Sequence, residues 1–143
     1  MSIAPELGAA YLRTIYWVDA RPEPIPLRVG DRSSQLDRML VANRCRQWAF
    51  LTAWNPGSEI QSPLRNTARQ RRLLRALQGN GYRWLPGLGD GDDGEWPAEP
   101  SLLVLGMPMH EAVRVGRHFG QNAVLVGKLG QCAMLVWCTP ASA

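Results

Sequence analysis

Lysine is almost missing from this chain. Lys128 is the only lysine among 16 basic residues, so arginine carries the net charge of +4. Arginine offers phosphates and carboxylates a planar fork that an ammonium lacks, although a GC-rich coding sequence produces the same bias. The three cysteines, Cys45, Cys132 and Cys138, are an odd number without CxxC spacing. That argues against both a disulfide framework and a zinc site, and leaves reduced structural thiols. Long hydrophobic runs are absent too: apolar stretches such as Ser101 to Gly106 are far too short to cross a bilayer. Met1 to Ala10 has neither the basic start nor the apolar core of a signal peptide, so a cytoplasmic location is expected. No activated serine or cysteine, metal triad or nucleotide-binding motif stands out. An enzyme is therefore the less favoured class, and no cofactor or metal is expected.

With 143 residues, 45% of them hydrophobic and 20% charged, the chain can form one domain with a proper core. The organising stretch is Trp48-Ala49-Phe50-Leu51-Thr52-Ala53-Trp54-Asn55-Pro56, which reads as a buried strand ending in a polar loop. Upstream, Tyr11 to Val18 is rich in aromatic and β-branched residues and predicts an edge strand. Pro22, Pro24 and Pro26 then impose an extended connection, Ile25 to Val29 a short strand, and Ser33 or Ser34 caps a helix reaching about Asn43. Downstream, Ser62-Pro63 starts a helix that ends at Gly79-Asn80-Gly81. Its wheel places Asn66, Gln70, Leu73 and Leu77 inward and Arg65, Arg71, Arg72 and Arg75 outward. Tyr82 to Pro86 and Ser101 to Gly106 read as strands, and Met109 to Phe119 as a helix with Met109, Ala112, Val113 and Gly116 on its buried stripe. A closing hairpin follows, Asn122 to Gly127 and Cys132 to Cys138. The segment Gly87 to Pro100 has four glycines and three aspartates, but not the spacing of the twelve-residue calcium loop; it reads as a long loop.

This order predicts an α+β domain with a ferredoxin-like βαββαβ core, an extra C-terminal strand and an N-terminal strand/helix extension. Residues 1–46 are the extension, packed on a core of residues 47–138. In that topology three connections emerge at one end of the sheet. They bring together Thr52, Trp54, Asn55 and Ser58; Gly87, Gly89, Trp96 and Glu99; and Arg117, Gln121 and Asn122, with Asn66, Arg69 and Gln70 at the neighbouring helix start. The binding residues expected are Asn55, Asn66, Arg69, Trp96, Glu99, Arg117, Gln121 and Asn122. Arg69 and Arg117 would face an anion, at a helix start whose free N–H groups favour one. The competing structural explanation is that the amides satisfy turn backbones.

At these residues the chain resembles a known family. Tyr11-x-x-Thr14-x-Tyr16-x-Val18, Thr52-Ala53-Trp54-Asn55-Pro56, Asn66-x-x-Arg69, Pro86-Gly87-x-Gly89, Trp96-x-x-Glu99-Pro100-Ser101 and Gly116-Arg117-x-Phe119-Gly120-Gln121-Asn122-Ala123-Val124-Leu125 are similar to an uncharacterised bacterial family, domain of unknown function 3293. The resemblance implies one intact domain and brings no reaction, cofactor or partner with it. Arg65 departs from it, where an acidic residue is more usual. Three functions compete: a module binding an anionic partner such as a nucleotide or nucleic acid, a small hydrolase-type enzyme using Glu99 as acid and base, and a protein-interaction domain.

Overall fold

The computed structural model describes residues 5–91 and 97–138. Among these residues four α-helices and seven strands form an α+β fold in chain order: α1 (Pro5–Arg13), β1 (Ile15–Val18), β2 (Ile25–Leu27), α2 (Ser34–Ala42), β3 (Gln47–Leu51), α3 (Pro63–Gly79), β4 (Arg83–Asp90), β5 (Glu99–Leu105), α4 (Met109–His118), β6 (Ala123–Lys128) and β7 (Met134–Trp137). All seven strands belong to one antiparallel sheet in the order β2-β1-β4-β5-β3-β6-β7. The two fully apolar strands, β3 and β5, are neighbours in its middle, Phe50 opposite Leu103.

Their alternation explains the central position. Ala49, Leu51, Leu102 and Val104 point to one face, where they pack with Leu73 and Leu77 of α3 and Ala112 of α4. Trp48, Phe50, Leu103 and Leu105 point to the other, where they meet Leu36 and Leu40 of α2. A strand apolar on both sides is stable only when both sides are covered.

Four features differ from the sequence reading. Tyr11 to Val18 is not one strand, because Ala9, Ala10, Leu12 and Arg13 favour a helix that runs through Tyr11 and closes where the Thr14 hydroxyl donates to Ala10 O at 2.8 Å. The sheet is larger than expected, since β1 pairs with β4 and carries β2 with it. Third, β4 continues to Asp90 and β5 begins at Glu99, so much of the expected loop Gly87 to Pro100 is paired strand; Asp92, Asp93 and Trp96 lie outside the described residues. Of the stripe assigned to α4, Ala112 and Gly116 are buried as expected, but Met109 is 45% exposed, because it is the first residue of the helix and lies at the end of the packed face.

The sheet curls until its two edges meet. Gly30 N donates to Ala133 O at 2.8 Å and Ala133 N to Asp31 O at 2.9 Å, joining the chain after β2 to the chain before β7. On the concave side α2 covers one end, and α1 lies across the other with the Tyr11 ring edge-on to Trp137 at 5.6 Å. No helix among the described residues is long and apolar enough to cross a membrane.

Close approach on the convex face depends on Gly116. A Cβ there would stand 2.5 Å from Cys138 Sγ and 2.8 Å from Val124 Cγ1, both inside contact distance. Gly116→Leu is therefore expected to lower stability by about 1–3 kcal/mol through overpacking. Arg72→Ala, at an exposed position, should stay within about 0.5 kcal/mol of wild type. Urea denaturation checks the pair, and equal losses would contradict this placement of the helices.

Candidate functional site

β3 ends in a left-handed turn at Asn55 (φ 45°, ψ 65°), a conformation that asparagine tolerates better than most residues. The turn is held by an exchange with α3. Asn55 N donates to Asn66 Oδ1 at 2.8 Å, and Asn66 Nδ2 donates back to Asn55 Oδ1 at 2.8 Å. Gln61 N also donates to Asn55 Oδ1, at 2.9 Å. Both asparagines are buried. One turn further along α3, Gln70 Oε1 accepts from Ala53 N at 2.9 Å while its Nε2 donates to Pro100 O at 3.2 Å. The Thr52 hydroxyl reaches the same Pro100 carbonyl at 2.7 Å.

The α4–β6 connection is clasped to the same turn. Gly57 N donates to Gly120 O at 2.7 Å, Gln121 Nε2 to Trp54 O at 3.2 Å, and Asn122 Nδ2 to Ser58 Oγ at 2.9 Å. Asn55 Nδ2 extends the network to Glu99 Oε1 at 3.4 Å. Asn55, Asn66, Glu99, Gln121 and Asn122 thus form one hydrogen-bonded neighbourhood at the end of the sheet where the three connections were expected to meet. Trp96 lies outside the described residues.

The two arginines have other tasks. Arg69 Nε donates to Ala53 O at 3.2 Å and its Nη2 to Phe119 O at 2.6 Å, so it ties α3 to both connections. Desolvation, with Arg72 as a smaller repulsive neighbour, pulls its guanidinium below the ordinary arginine range. Arg117 Nε donates to Cys138 O. Neither lines the cavity described next, and both are engaged by backbone carbonyls.

That cavity, of about 250 Å³, opens on the concave side beneath α1. Leu7, Phe50, Leu125 and Leu135 make its apolar wall, and Tyr11, Thr52, Asn55, Ser58, Glu99 and Gln121 its polar end. The space exists because the β-sheet row there lacks bulk. Gly89 sits in register between Tyr16 and Glu99, and Ser101, Ala10 and Ala123 add little volume. A Cβ on Gly89 would come no closer than 3.9 Å to any neighbour. Among the described residues no group of three or more His, Cys, Asp and Glu side chains could hold a metal ion.

Two cavity residues escape the sequence reading, Tyr11 because its helix reads as strand, and Tyr16 because an aromatic in a strand reads as core. Tyr16 shares the inward phase of Val18, which is the available clue, since a buried phenol needs a partner. Tyr16 is 8% exposed, its ring edge-on to Phe50 at 5.4 Å. Its hydroxyl oxygen is buried and makes no hydrogen bond among the described residues. Thr14 stands near it without reaching hydrogen-bond geometry and donates to Ala10 instead. Desolvation, then the Tyr11 and Glu99 charges, holds the Tyr16 phenol well above its ordinary range. Tyr11 is raised as well, chiefly by burial and against the favourable dipole of Ser58. Both are neutral donors at physiological pH.

Burial also pushes the Cys138 thiol from 9.0 up to about 11, with Arg117 acting in the opposite direction. The unfolded thiol ionises near 9 and the folded one near 11, so the contribution to stability is complete below pH 9 and is lost as pH rises to 11. Stability in urea should therefore fall over that window, less steeply in Cys138→Ala. In native protein near about pH 8, a thiol reagent should modify the exposed Cys132 and spare Cys138. Equal labelling of both would contradict the burial.

No curated protein and no solved structure matches the chain. A family described as protein of unknown function (DUF3293) matches residues 51–124, from the end of β3 into β6. That match spans the turn at Asn55, all of α3, Glu99 and the Gln121–Asn122 connection, and on this ground the chain belongs to the DUF3293 family.

Proposed function

We propose that this protein binds a small organic molecule in the cavity beneath α1, with the apolar body of the ligand against Phe50, Leu125 and Leu135 and its hydrogen-bonding end at Tyr16, Asn55 and Glu99. The observation that carries the reading is Tyr16, a residue of the cavity wall whose hydroxyl is buried and without a partner among the described residues. A buried polar group left unmatched costs free energy. A ligand acceptor placed against it removes that cost. The cavity is far larger than the roughly 30 Å³ share of one water, and it has the form of a small-molecule site, mostly apolar with a few convergent polar groups.

The polar end is suited to a ligand that both accepts and donates. Tyr16 and Tyr11 are neutral phenols and can donate, whereas the Glu99 carboxylate accepts and has several lone-pair positions to share. An acidic residue in the wall disfavours a purely anionic ligand. The scaffold we assign to this site is a ferredoxin-like unit, β3-α3-β4-β5-α4-β6. The strand order β4-β5-β3-β6 supports it, as does the packing of α3 and α4 on one face. In the complete sheet, β1, β2 and α1 then wall off the open face of that unit and turn it into a container.

Tyr16→Phe tests the reading. It removes no hydrogen bond among the described residues, so the variant should be as stable as wild type or more stable by about 1 kcal/mol. Compounds that raise the wild-type melting temperature in a thermal-shift screen should bind the variant several-fold more weakly, as expected for one net hydrogen bond of about 0.5–1.5 kcal/mol. A destabilised Tyr16→Phe, or a screen in which hits bind both forms equally, would sink the proposal.

A further inference from the structure

The arginines expected to face an anion in the pocket tie backbone segments together, but most of the arginine charge of α3 lies elsewhere. From Ile60 to Gly89 the sequence contains no acidic residue and six arginines, Arg65, Arg69, Arg71, Arg72, Arg75 and Arg83. Arg65, Arg71, Arg72 and Arg75 are exposed, and none of the four makes an ion pair among the described residues. At about 100° per residue these four fall within an arc of roughly 120°, opposite the buried Asn66, Leu73 and Leu77. Arg71 and Arg72 stand four and three residues before Arg75, spacings at which like charges oppose the helix. The positive row thus stands against a local cost and has no ion-pair partner among the described residues.

We propose that this outer face of α3 docks the phosphate backbone of a nucleic acid, without reading its sequence. From Arg65 to Arg75 the helix rises about 15 Å, enough to span about four phosphates of one duplex strand at roughly 3.4 Å per nucleotide. The composition fits phosphate: guanidinium groups make bidentate contacts with it, and no lysine lies on the helix. A membrane surface fits less well. An interfacial helix must bury an apolar face in lipid, whereas the apolar face of α3 is occupied by the sheet and Leu64 is the only large apolar residue left outside, at 82% exposure.

The test is binding of a labelled oligonucleotide duplex by fluorescence anisotropy, between about 50 and 200 mM salt. Vesicles of anionic phospholipid run in parallel, with wild type and the triple variant Arg71→Gln, Arg72→Gln, Arg75→Gln. Four phosphate contacts predict a slope of log K against log salt of roughly −3.6, falling to roughly −1 or to undetectable binding in the variant. The variant should melt with wild type, since all three positions are exposed. No salt-dependent binding by wild type, an unchanged slope in the variant, or tighter association with vesicles than with duplex would each overturn the proposal. The Tyr16 cavity is untouched by these substitutions, so the two readings fail separately.

Discussion

The structure depends on the reciprocal pair Asn55–Asn66. A strand as apolar as β3 must end somewhere, and when it does its backbone N–H and C=O groups lose their ladder partners while still buried. Asn66 supplies the missing acceptor to Asn55 N and receives the side-chain oxygen of Asn55 in return. Gln70 and Arg69, on the next turn of the helix, do the same for Ala53 N and Ala53 O. The first turns of α3 are in this way a mould for the end of β3. Because Gln70, Thr52 and Asn55 also reach Pro100 and Glu99, the mould sets where β5 begins.

Polar satisfaction at that end leaves the concave side free for a different use. The amide network closes the connections without filling the space under α1, and Gly89, Ser101, Ala10 and Ala123 keep that space open. A cavity in a close-packed interior forfeits dispersion contacts, and here it is accompanied by an unmatched phenol. These two costs fall in one place, within a fold whose other buried side-chain polar atoms among the described residues are all paired, and it is on that coincidence that the proposed ligand site rests. Charge is organised separately. The cavity wall carries Glu99, whereas the exposed arginines of α3, without an ion pair among the described residues, lie on the opposite face of the sheet, beyond the layer of Leu73 and Leu77.

Much of this frame is legible in the sequence, because the signals are local. Trp48–Leu51 and Ser101–Leu105 are apolar in both phases, which only a doubly covered strand can be. Ser62-Pro63 marks the start of α3 and its wheel turns Asn66 inward, beside the strand end whose orphaned groups it satisfies. Less legible is whatever tertiary context decides. Gly87 to Asp90 reads as loop because glycine is depleted in strands, yet β1 and β5 pair it from both sides, and Gly87 gives the Phe50 ring the room that a Cβ would take. The helix α1 is hidden because Tyr11, which belongs to it, sits next to a genuine strand. With α1 unread, the cavity it roofs and the place of Tyr16 in its wall are also out of reach. The inward phase of Asn66 gives its place but not its task, and no periodicity separates an arginine bound to carbonyls, such as Arg69, from one free for an anion.

Native-state hydrogen exchange at Asn55 and Gln61 measures the central interaction most directly. Both amides lie in a connection, where exchange is ordinarily fast, and both donate to the side chains of the asparagine pair. If the pair holds the strand end as described, these two N–H groups exchange as slowly as those of Ala49 and Phe50 in the strand itself. Exchange at the rate of an open loop, with the strand still protected, would contradict the account.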